Sequence, residues 1–243
     1  MNYRTTRLLL CVGVAVAIGG AGFAGEINEP AQFDASRLRT GTFVYRDVRG
    51  DQEIGRGEIS VKKLPGTENF SFSDLETGEF SQRWTAITTT SLHPISASLS
   101  FGDGPPVFDL AYTSDRVTGF VLKQKGPDAG SRHSINDKVP ESIVDQRIDW
   151  AAVSASNLEP GREFEFDVYD PSLGVSHVVV RAGAAQSITV PAGLFKVLRA
   201  TYEINKRTGV EKYQVFVTTA EPRMLVREEF PDGTASDLVS TDR

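Results

Sequence analysis

Cysteine is almost absent from this sequence: the single one among 243 residues, Cys11, lies within an apolar N-terminal segment. An apolar run from Leu8 to Ile18 follows two arginines and precedes small residues as far as Ala24. A short positive region, an apolar core and small residues before the cleavage point are typical of a secretory signal peptide. We therefore expect residues 1–24 to be removed and residues 25–243 to act in the periplasm or outside the cell.

Loss of Cys11 with the signal peptide would leave a mature chain without cysteine. Such a chain excludes disulfide bonds, thiolate catalysis and cysteine-based zinc sites. Long apolar runs are also lacking, since no later segment approaches the roughly 20 apolar residues that a membrane-spanning helix needs. We expect no transmembrane segment in the mature protein.

Positive charge is in deficit as well. Without the two N-terminal arginines, 24 lysines and arginines face 32 acidic residues, a net charge of −8. A phosphate backbone repels such a surface, so nucleic acid is not an expected partner. The remaining 219 residues suffice for one domain with a single core.

Groups for catalysis are few. The histidines are His93, His133 and His177, and no two have the spacing of a zinc-binding helix. No serine has the context of a nucleophile elbow, and no glycine-rich loop has the spacing of a phosphate or dinucleotide site. The sequence predicts no catalytic residues, no metal site and no cofactor, although a hydrolase triad assembled from distant residues stays a minor alternative.

Alternating apolar and polar residues dominate what is present. From Glu163 to Tyr169 the sequence EFEFDVY places Phe164, Phe166 and Val168 on one face and acidic residues on the other. This alternation is typical of a half-buried β-strand. About a dozen similar runs follow one another, with Gly, Asp and Ser in the turns. We predict a mainly β fold: one curved antiparallel sheet that forms an open or closed barrel.

Two segments depart from the alternation. Residues 140–156 begin with a proline and carry apolar residues on one stripe, which predicts a single amphipathic helix that covers a sheet. Residues 125–138 lack apolar periodicity, which predicts an exposed loop.

Aromatic side chains are the best candidates for a binding site. They recur on alternate strand positions, where they either fill the core or line an apolar cavity. His177 shares a strand with apolar residues and points either into such a cavity or to solvent. The candidate ligand-binding residues are Phe164, Phe166, Phe195, Phe216 and His177.

Several stretches resemble a known family. They include the run VPAGLFKV at 190–197, the run YQVF at 213–216, the run RMLVREE at 223–229 and the step Leu92-His93-Pro94. In these stretches the chain resembles the exported bacterial family called domain of unknown function 3108. The resemblance implies an envelope protein with a curved antiparallel sheet, broadly similar to the β half-barrels of periplasmic lipoprotein carriers.

These observations lead to two main hypotheses. The first is a non-catalytic periplasmic protein that binds an apolar or amphipathic small molecule in an apolar cavity of several hundred Å³. The alternative is an interaction module of cell-envelope assembly that binds an envelope protein through a sheet edge or an exposed apolar patch.

Overall fold

The computed structural model describes residues 31–79, 81–124, 127–207 and 209–242, so the predicted signal peptide lies outside the described residues. Within these ranges the strands form one sheet. Their bounds are β1 Gly41–Arg49, β2 Gln52–Lys63, β3 Phe70–Gly78, β4 Gln82–Thr88, β5 Pro94–Ser100, β6 Pro106–Tyr112, β7 Arg116–Leu122, β8 Arg132–Lys138, β9 Val144–Asp145, β10 Glu163–Asp170, β11 Gly174–Val190, β12 Gly193–Lys206, β13 Gly209–Thr218, β14 Leu225–Glu229 and β15 Thr234–Thr241.

The strand order follows the chain in two halves. It runs from β8 back to β1, then from β15 back to β9, and the pairing of β1 with β15 joins the halves. All neighbours are antiparallel except β9 and β10, which are parallel. The first and last strands therefore lie at the centre of the sheet, and β8 and β9, which are close in sequence, lie at its two ends.

Side chains connect the two ends of this sheet. The phenol of Tyr169 on β10 donates to Asp137 on β8 at 2.7 Å, and the phenol of Tyr112 on β6 donates to Asp145 on β9 at 2.6 Å. No ladder between β8 and β9 occurs among the strands of the described ranges. The prediction of a curved antiparallel sheet is confirmed, with fifteen strands and with polar side chains, rather than backbone pairing, at the junction.

The predicted helix at 140–156 begins later than expected. The α-helix, α1, spans Asp149–Ala155 and follows a 3₁₀ turn at Gln146–Ile148. Val144 and Asp145 are extended because they pair with β10. All seven residues of α1 are buried, so the helix lies inside the curved sheet and does not cover it with one apolar face.

The predicted loop at 125–138 is wrong in its second half, which forms β8. This strand pairs with β7 along one edge only, and Ile135 alone among its residues is partly buried. An edge strand that exposes both faces has no need of apolar alternation, which explains why periodicity did not indicate it.

The interior is well filled. Phe164 stacks with Phe166 at a centroid distance of 6.3 Å, and Phe33 meets Phe166 edge-on at 5.3 Å. Both β10 phenylalanines are buried and belong to one continuous apolar cluster. These side chains therefore pack in the core, as the filled-interior interpretation expected.

Close approach of two strands requires glycine at position 119. Gly119 on β7 lies opposite Leu110 on β6 and has φ +142°, and a Cβ there would lie 2.0 Å from the carbonyl oxygen of Asp109. Gly50, in the turn after β1, has φ +59° but open space around it. Both glycines have a positive φ, but only Gly119 lies so close to a neighbouring strand that a larger residue would clash.

We predict that Gly119→Ala lowers the free energy of unfolding by roughly 2–5 kcal/mol, because it adds a clash with backbone to an unfavourable φ. Gly50→Ala is the control and should cost only about 1–2 kcal/mol. Urea denaturation followed by circular dichroism measures both values. Equal losses in the two variants would contradict the close approach of β6 and β7.

Candidate functional site

A buried arginine pairs with carboxylates on β9 and β10, the two neighbouring strands at one end of the sheet. Arg147, in the 3₁₀ turn before α1, forms an ion pair with Asp145, and its Nη1 lies 3.1 Å from Oδ2 of Asp170. Its guanidinium carbon lies 4.5 Å from the ring centroid of Phe108. The side chain of Arg147 is only 1% exposed, so two carboxylates and an aromatic face replace its hydration.

Electrostatics keep this arginine charged. Burial lowers the pKa of Arg147, but the nearby carboxylates, Asp145 foremost, raise it by more, so the net pKa is raised. Burial raises the pKa of Asp170, and Arg147 opposes that change. Burial and the charge of Asp145 raise the pKa of Tyr112, which stays protonated and donates to that carboxylate.

A small cavity lies beside this arginine. Its volume is about 40 Å³ and it is partly open. A water molecule needs about 10–15 Å³ by this measure, so the cavity has room for roughly three. The polar lining residues are Asp74, Gln146, Arg147, Asp149, Tyr202 and Glu228. The apolar and aromatic lining residues are Ile59, Trp84, Trp150, Tyr213 and Phe230.

Strands and the helix each contribute part of the lining. Tyr202 on β12 donates to Oε1 of Glu228 on β14 at 3.0 Å, and its ring stacks on Tyr213 at 4.9 Å. From α1, Asp149 accepts the backbone N–H of Trp150 at 2.7 Å. Asp74 on β3 is 2% exposed and completes a group of three carboxyl side chains around the cavity.

Two acidic groups influence each other at this cavity. Burial, and then the charge of Glu228, raise the pKa of Asp149 well above its usual range. Both effects favour the protonated form of this carboxyl. Burial also raises the pKa of Tyr202, so its phenol remains a hydrogen-bond donor to Glu228.

Gln146 adds an unusual acceptor. The residue is 3% exposed and lines the cavity, and its Oε1 has no hydrogen-bond donor among the described residues. A buried amide oxygen without a donor costs about 1–3 kcal/mol. Native proteins seldom contain such groups unless water or a ligand satisfies them.

Comparison with known proteins places the chain in a family. Residues 59–236 match the family model described as "Protein of unknown function (DUF3108)". The chain belongs to this family. The match covers most of the sheet, including the strands that carry Asp74, Tyr202 and Glu228. No curated protein matches the sequence significantly.

Solved structures extend the comparison of the DUF3108 chain to its fold. It is similar to the crystal structure of a beta-barrel-like protein of domain of unknown function DUF1849 from Brucella abortus, with a TM-score of 0.53 and 10% identity. The similarity covers 85% of this chain and 98% of that one. A protein with a YmcC-like fold from Bacteroides fragilis gives a TM-score of 0.38 at 12% identity, with 88% and 100% covered. The first similarity indicates a shared curved β architecture.

The five candidate residues from the sequence are not brought together at this cavity in the DUF3108 chain. Phe164, Phe166 and Phe216 are buried in the core, Phe195 is half-buried near the β11–β12 turn, and none of them lines the cavity. The cavity is also smaller and more polar than the apolar one of several hundred Å³ that the carrier hypothesis expected.

His177 lies between two carboxylates at the sheet surface. Its Nδ1 is 3.0 Å from Asp167 and its Nε2 is 3.1 Å from Glu165, both on the neighbouring strand β10. Partial burial lowers the pKa of His177, but these two partners raise it by more. The side chain is 44% exposed, and the arrangement is an ion-paired surface histidine. His93, in contrast, approaches the carbonyl oxygen of Glu141 at 3.0 Å.

Neither metal ligation nor a membrane span is indicated. Within the described ranges, no three histidine, cysteine or acidic side chains are grouped so that they could hold a metal ion. In the same part of the chain, every helix is too short or too polar to cross a membrane.

Sequence reasoning missed the polar lining because polar residues on a strand were assigned to solvent. A signal was present in the alternation itself. Asp74 is in phase with Phe70 and Phe72 on β3, and Glu228 is in phase with Val226 and Phe230. Polar residues in phase with a buried face indicate a polar interior site.

We predict that Arg147→Leu lowers the free energy of unfolding by about 3–5 kcal/mol, because it leaves two buried carboxylates without their cation. Arg181→Leu is the matched control: Arg181 also bridges two carboxylates, Glu163 and Glu203, but is 49% exposed, and its loss should cost about 1 kcal/mol or less. Chemical denaturation of both variants tests this, and a small loss for Arg147→Leu would refute it.

The raised pKa of Asp149 predicts a pH-dependent effect. Folding must keep this carboxyl protonated above its unfolded pKa of about 3.9, so the folded state loses stability as the pH rises from there towards the folded pKa. Asp149→Asn should remove this loss. The stability of the variant relative to the wild type should therefore rise by about 1.4 kcal/mol for each pH unit between the two pKa values. We expect the variant to match the wild type near pH 4 and to be more stable at pH 7.

The measurement is thermal or urea unfolding of both proteins from pH 4 to 8. The control is Asp103→Asn, because the side chain of Asp103 is fully exposed, and this substitution should change the stability by less than about 0.5 kcal/mol. A stability difference for Asp149→Asn that stays constant across this range would show that Asp149 titrates normally.

Proposed function

We propose that this protein is an exported, non-catalytic binding protein that holds the polar end of an amphipathic ligand in the cavity inside its curved sheet. The observation that carries the proposal is the lining: buried carboxyl, amide and phenol groups face the same small space as two tryptophans. Binding sites characteristically combine an apolar wall with a few convergent polar groups.

The size of the cavity restricts what enters it. A volume of about 40 Å³ accommodates a head group of a few non-hydrogen atoms and no more. Because the cavity is partly open, the rest of such a ligand would extend from it towards solvent or along the adjacent aromatic side chains. The amphipathic alternative among the expected ligands is thus favoured over a wholly apolar one.

The interaction-module hypothesis has one observation in its favour. Leu194, at the turn between β11 and β12, is 72% exposed, and Ile188 and Phe195 beside it are only partly buried. A projecting apolar turn is typical of a contact site for another protein. It occupies a different part of the molecule from the cavity, so one purification can distinguish the two functions.

Native mass spectrometry of protein expressed with its own N-terminal segment and purified from the periplasm tests the proposal. We expect a bound small molecule in the wild type and in the control Glu58→Gln, whose side chain is exposed on β2. Ile59 is the next residue in the sequence and lines the cavity. Ile59→Phe should fill the cavity and displace the bound small molecule. Circular dichroism checks that the variant folds.

Two results would contradict the proposal. The first is a wild-type protein that carries no small molecule, and the second is a ligand that Ile59→Phe retains although the variant is folded. A stoichiometric protein partner without a small molecule would favour the interaction module, and its loss in Leu194→Ser would assign it to the β11–β12 turn.

A further inference from the structure

We propose that the group that enters the cavity is an ammonium, the cationic head of an amine-containing amphipathic molecule. This inference rests on the proposed function and specifies its ligand class. It is carried by the charge of the lining, by an acceptor without a donor, by the aromatic side chains and by the size of the space.

The charge of the lining favours a cation. The carboxyl groups of Asp74 and Glu228 line the cavity, and among the described residues Arg147 is the one basic residue in its lining. The third carboxyl, that of Asp149, is held towards its protonated form by burial. Arg147 is already paired with Asp145 and Asp170, which lie outside that lining. An anionic head group would meet carboxyl groups and an arginine whose charge is already neutralised.

The hydrogen-bonding groups favour a donor. Oε1 of Gln146 is buried at the cavity and has no donor in the described part of the chain. An ammonium supplies donors and has no acceptor, so it satisfies an amide oxygen and carboxylates at the same time. A phosphate or carboxylate head group supplies mainly acceptors, so it would leave the amide oxygen of Gln146 without a hydrogen-bond donor.

The aromatic lining and the size complete the match. Trp84 and Trp150 both line the cavity, and an indole face is the strongest aromatic partner of an organic cation. The space of about 40 Å³ admits an ammonium and the carbon attached to it. A metal ion fits less well, since no group of three potential ligands occurs among the residues that the structure describes.

The test compares three probes with the same eight-carbon chain: octylammonium, octanol and octyl phosphate, each below the concentration at which it forms micelles. Isothermal titration calorimetry with the full mature chain measures binding, and thermal unfolding measures stabilisation. We expect octylammonium to bind at least about tenfold more tightly than octanol, and octyl phosphate not to bind, because head-group contacts to buried charged partners are worth on the order of tenfold or more.

Variants locate the site. Gln146→Leu and Asp74→Asn should each weaken octylammonium binding by about 10- to 100-fold. Glu165→Gln, on the outer face beside His177, is the control and should leave binding unchanged. Gln146→Leu should also unfold at the same or a higher temperature than the wild type without ligand, because it removes a buried acceptor without a donor. This separates a loss of binding from a loss of folding.

Each outcome decides the inference. Equal binding of octylammonium and octanol, or preferred binding of octyl phosphate, would refute the ammonium head while leaving an amphipathic ligand in place. A native ligand without an amine in the periplasmic preparation would do the same. Failure of all three probes, together with a purified protein that carries no ligand, would refute the proposed function as well.

Discussion

The pairing of Arg147 with Asp145 and Asp170 is the constraint on which the rest of the structure depends. Asp145 lies on the strand at one end of the sheet, and it also accepts the phenol of Tyr112 on β6, which belongs to the other half. The same arginine is the middle residue of the short turn that leads into α1. One buried cation therefore fixes the junction of the sheet and the position of the helix inside it, at the desolvation cost that any buried ion pair carries.

This junction differs from the closure of an ordinary barrel. A barrel removes its edges by continuous backbone pairing, which specifies strand tilt and stagger but involves no particular side chain. Here β8 and β9 do not pair among the described strands, and phenol–carboxylate hydrogen bonds span the gap instead. Because each of these bonds depends on specific residues, the shape of the interior follows from a few polar side chains rather than from strand number alone.

Sequence alternation predicted the greater part of the fold, and its failures have physical reasons. The run EFEFDVY was predicted as a strand and is β10, because one of its faces is buried by the core. β8 was missed because both of its faces are largely exposed, so burial imposes no period. The start of the helix was placed too early because Val144 and Asp145 pair with β10, a tertiary contact that local propensity does not contain. The candidate binding residues were chosen by residue type alone. Packing, which the sequence does not specify directly, places Phe164 and Phe216 in the core and away from the lining of the cavity.

The polar interior is the part of the molecule that stability alone does not explain. Apolar side chains at positions 74, 146 and 149 would avoid the desolvation of two carboxyls and an amide beside Trp84 and Trp150. Local violations of core composition in natural proteins are concentrated where function requires them, because elsewhere selection for stability removes them. Two unusual groups line the same small cavity: Asp149, whose carboxyl pKa is raised, and Gln146, whose amide oxygen lacks a donor among the described residues. Together they fit a site that is incomplete without its ligand. A ligand that carries positive charge and donates hydrogen bonds offsets both the desolvation of the carboxyl groups and the missing donor at Gln146. Water offsets only the missing donor.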